Sequence, residues 1–341
     1  MFSKGKHLNF FKTKPLIKYP HRFSVVILGL GEIGMGYDKR LRAATHVYTH
    51  ARAFDSHPGF SLVGAYDPNP RKRAEFHAKY KKPVFSSVDR MFKEVRPEVV
   101  VVASPTSEHK KSVAIALEGE NVQAILCEKP MAANIEDSSQ IVQACKKKRK
   151  ALFINFIRRA DPGILEVKRR IEGRRIKGPF KSVVWYSKGL LHNGSHFVDL
   201  MSFWFGPIHG VSLIPKRKKL WEHKYEPDCR FDFESGSVVF LAAKEKNFSH
   251  YTSEIVAQNG RLRLETDGEI LWQAAESNPY FSGRRKLNPF PETICGNMNR
   301  YQLNIAEHLY RALLGKKHAL CFGSEALTSQ KWISKILRHE S

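Results

Sequence analysis

The stretch Phe23–Gly31, FSVVILGLG, constrains the fold of this chain more than any other. An unbroken apolar run that ends on glycines offers no polar face to water, so it reads as a strand buried on both sides, as in a parallel sheet. The glycines continue as Gly29-Leu30-Gly31-Glu32-Ile33-Gly34, a GxGxxG spacing at a strand-to-helix junction. Such glycines permit a tight turn and let a pyrophosphate approach a helix N-terminus closely. Alone the pattern is weak, and its setting decides its meaning. FSLVGAYD reads as a second strand that ends on Asp67, the acidic position expected to hold the adenosine ribose hydroxyls. The interval from Gly34 to Asp67 exceeds the roughly 20 residues usual for this fingerprint. An insertion around GYDKRLRAATHVYTH absorbs the excess.

The alternation runs on through residue 150. PEVVVVASP and VQAILCEKP read as further strands, while PRKRAEFHAKY and HKKSVAIALEGE read as helices. Asn134 is placed to cap the helix IEDSSQIVQACKKK. Residues 23–150 are therefore expected to form a doubly wound parallel sheet of Rossmann type, preceded by a basic arm over 1–22. From residue 151 to 341 the texture changes. One helix, GILEVKRRIEG, precedes strands broken by the turn signals Glu234-Ser235-Gly236, Asn259-Gly260 and Asp267-Gly268, and NRYQLNIAEHLYRALLG opens the C-terminal helices. This predicts an α+β domain with a large, mostly antiparallel sheet. Its helices are too few to cover both faces of that sheet, so a homodimer or homotetramer is expected.

Composition narrows the function classes. Lys and Arg number 57 against 33 Asp and Glu, a formal charge of +24, which invites a nucleic-acid or membrane-surface reading. The basic runs are dispersed, however, among them Arg71–Arg73, Lys146–Lys150, Arg169–Arg175 and Lys216–Lys219, and no nucleic-acid-binding motif accompanies them. Anionic small molecules such as sugar nucleotides are the simpler use of the field. No run approaches the roughly 18 apolar residues of a membrane span, and the N-terminus lacks the apolar core of a signal peptide. The five cysteines share no CxxC spacing, so free thiols in the reducing cytoplasm are expected rather than disulfides or structural zinc.

Two stretches carry chemistry. Lys129, in Glu128-Lys129-Pro130, follows the fourth strand directly and so sits at the carboxyl edge of the sheet, where open α/β folds bind ligands. A residue before proline is biased to an extended conformation, which projects the ammonium into a cleft. In LLHNGSHFVDLMSFWFG, His192 and His196 stand four apart at a helix start. That spacing suits two ligands on one helix face, a catalytic acid/base, or plain packing. No HExxH pattern or third ligand supports a metal, and none is expected.

GxGxxG, the Asp67 strand end, ASPTSEH, CEKPMAAN, NFIRRADPG and HNGSHFVDL together resemble the glucose–fructose oxidoreductase / inositol dehydrogenase (Gfo/Idh/MocA) family, from about Phe23 to the C-terminal helices. The resemblance implies an NAD(P)-dependent oxidoreductase acting on a carbinol of a sugar, cyclitol or sugar nucleotide. It assigns Lys129 and His196 to catalysis, and Gly29, Gly31, Glu32, Ile33, Gly34, Asp67, Ser104, Pro105, Thr106, His109, Glu128 and Lys129 to the cofactor. It also assigns Asn155, Arg159 and His192 to the substrate. Asp67 favours NAD, with NADP the alternative because Arg71–Arg73 could neutralise a 2′-phosphate. Many relatives carry aspartate where His192 stands, so an acceptor or anionic substituent on the substrate is expected there. The rival readings are a non-catalytic dinucleotide-binding regulator and a basic nucleic-acid-binding protein; the presence of both Lys129 and His196 favours an enzyme.

Overall fold

The computed structural model describes residues 19–214 and 226–338. Most of the N-terminal arm and the run Lys216–Lys219 lie outside the described residues.

The four expected apolar strands, β1 (Phe23–Leu28), β2 (Phe60–Tyr66), β4 (Val99–Val102) and β5 (Ala124–Cys127), form one parallel sheet with two further strands, β3 (Val84–Phe85) and β6 (Ala151–Ile154). The four valines of β4 are wholly buried, as a central strand covered on both faces requires. Helices α1 (His50–Ser56), α2 (Pro70–Tyr80), α3 (Val88–Val95), α4 (His109–Leu117) and α5 (Ile135–Lys147) connect the strands. Asn134 caps α5 as expected, its Oδ1 accepting from Asp137 N at 2.7 Å.

The second domain opens with α6 (Pro162–Glu172), whose cap, Asp161, accepts from Gly163 N and Ile164 N. Its sheet consists of β7 (Phe180–Tyr186), β8 (Ile208–Leu213), β9 (Cys229–Phe233), β10 (Gly236–Ala242), β11 (Thr252–Ala257), β12 (Gly260–Leu264), β13 (Ile270–Ser277), β14 (Arg285–Leu287) and β15 (Glu292–Ile294). All three turn signals join antiparallel neighbours, β9–β10, β11–β12 and β12–β13. Only β7 and β10 run parallel within it. One face packs on α6 and α7 (Ser195–Phe205) through Phe180, Val184, Phe231, Phe240, Val167 and Trp204.

The expected division at 150/151 cuts through the first sheet. β6 pairs β5 in parallel, and β16 (Cys321–Phe322) adds an antiparallel edge to β6. The C-terminal helices α8 (Tyr301–Leu313) and α9 (Gly323–Arg338) return to the first domain, burying Ile305, Leu309 and Tyr310 in one of its cores and Ala326 in the other. The strand ALFI is apolar enough to be central, and residues far along the chain supply its outer cover, which no local pattern announces.

Candidate active site

The glycine loop has two glycines with different reasons. Gly29 adopts φ +103°, and a Cβ there would lie 2.6 Å from Ala103 O and Ser104 N, so backbone conformation and crowding both demand glycine. Gly31 has an ordinary φ of −71°, and a Cβ there would meet only Lys72 Nζ, at 3.9 Å. Glycine at that point leaves space for something outside the chain, as a dinucleotide-binding loop needs. Asp67 supports the same fit. Its carboxylate is buried, accepts from Leu30 N and Asn69 N at 2.8 Å each, and has no cation partner among the described residues. It therefore ties β2 to the glycine loop while keeping its negative charge. The residues present fit a dinucleotide.

One expectation is corrected at this loop. Gly34 is buried, Ile33 half-buried and Glu32 exposed, but they do not open a regular α-helix. Glu32–Gly36 forms a π-helical turn, with Gly36 N bonding Gly31 O and Tyr37 N bonding Glu32 O. The inserted segment then folds back, where buried Asp38 accepts from Tyr48 N and Thr49 N and pairs with Arg52. The insertion delivers α1 and His50 to the site.

The neighbouring loop is clamped by His109. Its Nε2 lies 2.9 Å from Ser104 O and its Nδ1 3.0 Å from Pro130 O. Buried His109 thus joins the end of β4 to the segment after β5, while Pro105 is exposed and Thr106 half-buried.

Glu128 and Lys129 leave β5 in different surroundings. The Glu128 carboxylate is buried, with Oε1 2.8 Å from His50 Nε2 and 2.5 Å from Asn155 Nδ2. Asn155 also donates to Gln302 Oε1 of α8 at 3.2 Å. Burial pushes the Glu128 carboxyl up, but His50, Asn155 and Lys129 outweigh it and hold it below its ordinary 4.5. Lys129 points across the cleft instead: its Nζ donates to His192 O at 3.2 Å and to Asn193 Oδ1 at 3.3 Å. Asn193 donates in turn to Tyr251 OH at 3.1 Å. The Lys129 ammonium is lowered by burial and by Arg158 and Lys188, with Glu128 opposing.

His192 and His196 are not on one regular helix. His192 is in a π-helical turn, Gly189–Gly194, and His196 in the first turn of α7. His192 is exposed, while His196 is buried edge-on against Phe156, with centroids 5.6 Å apart, and its Nδ1 has no partner among the described residues. Burial, Lys129 and Arg158 hold the His196 imidazole well below its ordinary 6.5, so it is neutral at pH 7. Among the described residues no group of three or more His, Cys, Asp or Glu side chains converges as a metal-binding set.

The paired arginines of NFIRRADPG part company. Arg159 is buried and held by Asp199, at 2.9 Å from Nε and 2.8 Å from Nη2, with Glu325 at 3.1 Å from Nη1. Arg158 instead faces the His196 side of the cleft. Sequence reading passed over His50, Arg158, Asn193 and Tyr251. His50 lies in an insertion 78 residues from its partner, with no local signal. Arg158 is adjacent to a residue that was selected, and only the turn geometry distinguishes the two.

The cleft thus lies between a Rossmann-type parallel sheet and a second, mostly antiparallel sheet. Residues 23–156 match the profile of the Gfo/Idh/MocA oxidoreductase family, described as an NAD-binding Rossmann fold. The chain is 27% identical over 174 residues to inositol 2-dehydrogenase of Rubrobacter xylanophilus, covering 51% of this chain and 46% of the relative. It is 28% identical over 193 residues to the NAD(+)-dependent scyllo-inositol 2-dehydrogenase of Bacillus subtilis, covering 52% and 51%. The chain thus spans about half the length of these curated relatives. The fold is shared with the WlbA dehydrogenase of Bordetella pertussis, solved with NADH and UDP-GlcNAcA, at a TM-score of 0.66 and 18% identity over 93% of this chain and 96% of that one.

Proposed function

We propose that the protein is an NAD-dependent dehydrogenase that oxidises, or in reverse forms, a carbinol of a sugar, cyclitol or sugar nucleotide. The observation that carries this reading is Lys129 reaching from the carboxyl edge of β5 to the turn that leads into His196. When bound, NAD supplies hydride acceptance at the nicotinamide. The chain's own task is the proton and the charge. His196, held neutral by its surroundings, takes the hydroxyl proton. Lys129 hydrogen-bonds the same oxygen and stabilises its developing negative charge. Glu128, fixed by His50 and Asn155, holds the Lys129 backbone in place, so Asn155 acts from behind the site rather than on the substrate, and Arg159 braces α7 through Asp199.

In this reading Asp67 binds the adenosine ribose and disfavours a 2′-phosphate. Support comes from Arg73, whose guanidinium is taken up by the carbonyls of Asp67 and Pro68 at 2.7 and 2.9 Å. Gly29, Gly31 and the Ser104–Thr106 loop line the cofactor, and His192 meets a substituent of the substrate. Assembly as a homodimer or homotetramer is part of the proposal, because Val183 and Trp185 of β7 and Val256 of β11 stand 37%, 39% and 52% exposed on the sheet face away from α7. A monomeric mass by light scattering at micromolar protein contradicts that part. A cytoplasmic location agrees with four buried free cysteines, Cys127, Cys145, Cys229 and Cys321; no described helix is long and apolar enough to cross a membrane. The activity is tested by a panel of inositols, sugars and sugar nucleotides read by nicotinamide absorbance, where turnover of at least one member is expected and turnover of none counts against it.

A further inference from the structure

Among the described residues no carboxylate pairs directly with the two cations of the cleft, Lys129 and Arg158. Arg158 sits on the turn Ile157–Ala160, between the two domains. Its guanidinium lies over the Phe197 ring, 4.6 Å from the centroid, and has no hydrogen bond or ion pair among the described residues. Phe156, two residues earlier, packs edge-on against His196, so the same turn brings Arg158 beside the candidate acid/base. Lys129 approaches the region from the other side, bonded to a carbonyl and an amide oxygen but to no carboxylate.

The described acids around Arg158 are engaged elsewhere. Asp161 accepts from the amides of Gly163, Ile164 and Asn297. Asp199 is taken by Arg159, Glu128 by His50 and Asn155, and Glu245 by Lys188 at 3.0 Å. A desolvated guanidinium without a counter-charge is costly, and the Phe197 face compensates only in part. Burial also pushes Arg158 down to about 10, and Tyr251 and Asp161 oppose that only in part. A planar guanidinium with free donors is matched to an oxyanion through two parallel hydrogen bonds.

We propose that Arg158 is a substrate-binding residue that recognises an oxyanion, a carboxylate or a phosphate, on the molecule whose carbinol is positioned at Lys129 and His196. This names the substrate class within the dehydrogenase reading and rests on it. It also gives the position its own role beside Arg159: one arginine of the pair braces the domain, the other meets the ligand.

The test is thermal unfolding of the full-length protein with NAD present and D-glucose, D-glucuronate or D-glucose 6-phosphate added at matched ionic strength. At least one of the two acids is expected to raise Tm more than glucose does, and the acid that does so identifies carboxylate or phosphate as the group. Arg158→Met is expected to abolish the difference and to weaken binding of that acid about 10–100-fold, the span of charge-assisted hydrogen bonds, while retaining the stabilisation by NAD that shows an intact fold. Arg158→Lys, which keeps the charge but not the fork, is expected to fall between. Equal stabilisation by glucose and both acids overturns the proposal, as does an acid-specific shift that survives in Arg158→Met. These readouts are of binding alone, so they are separate from the dehydrogenase reading, which fails only if no panel member changes nicotinamide absorbance.

Discussion

The two walls of the cleft are built on opposite principles. On the Rossmann side the carboxylates are held by protein partners: Glu128 by His50 and Asn155, and Asp67 by two amides. On the opposite side the Arg158 guanidinium has no counter-ion among the described residues. A buried polar group left unpaired costs free energy. In its carboxylates, one wall is thus finished before any ligand arrives, while the cation of the other is left without a partner. Disturbing the first wall should alter stability and cofactor binding, and disturbing the second should alter turnover.

The largest expected effect is on the unfinished wall. His196→Ala should lower kcat by about 10²–10⁴-fold, the usual contribution of a positioned acid/base, with NAD affinity unchanged in a fluorescence titration. Near-normal kcat would remove His196 from the chemistry.

Asp67→Ala tests the finished wall. Losing a charged acceptor to the ribose and to the glycine loop should weaken NAD binding about 10–100-fold and narrow the preference over NADP. An unchanged ratio of the two affinities would show that Asp67 only ties β2 to the loop.

Stability should follow the Glu128 network. Because its carboxyl is held below the ordinary 4.5, its contribution is complete above that value and is lost as pH falls through the lowered one. His50→Phe should destabilise the protein by about 1–3 kcal/mol in urea unfolding at pH 7, and Glu128→Gln should flatten the loss of stability on acidification below pH 4.5.

The smallest effect is at His192. Its carbonyl, not its imidazole, receives the Lys129 ammonium, so His192→Asp leaves that bond available and changes only the exposed ring. A shift in substrate ranking toward plain polyols would place the ring on the substrate, and a uniform change in kcat/KM would make it structural.

A different contrast, between near neighbours along the chain and tertiary placement, explains how much was legible in the sequence. Features set by near neighbours along the chain could be read directly: the β1 run, the Asn134 cap, the Asn259-Gly260 and Asp267-Gly268 turns, the Lys129 strand end. Features set by tertiary placement could not. The helix assumed after Gly34 is a π-helical turn because the insertion redirects the chain within a few residues. His50 finds Glu128 only once that insertion folds back. β6 belongs to the first sheet because its pairing with β5, and the cover from α8 and β16, are decided by residues distant in sequence. Arg158 and Arg159 differ only in which way a short turn sends them.

The account's central claim is that Lys129 leaves the finished wall to serve the reaction, and Lys129→Met tests it most directly. Turnover of the best panel substrate and NAD affinity should be measured on the same preparation. The account predicts kcat reduced by about 10²-fold or more with the NAD dissociation constant within about twofold of wild type, since the glycine loop and Asp67 are untouched. Wild-type kcat, or a loss of turnover that follows entirely from weakened NAD binding, would contradict it.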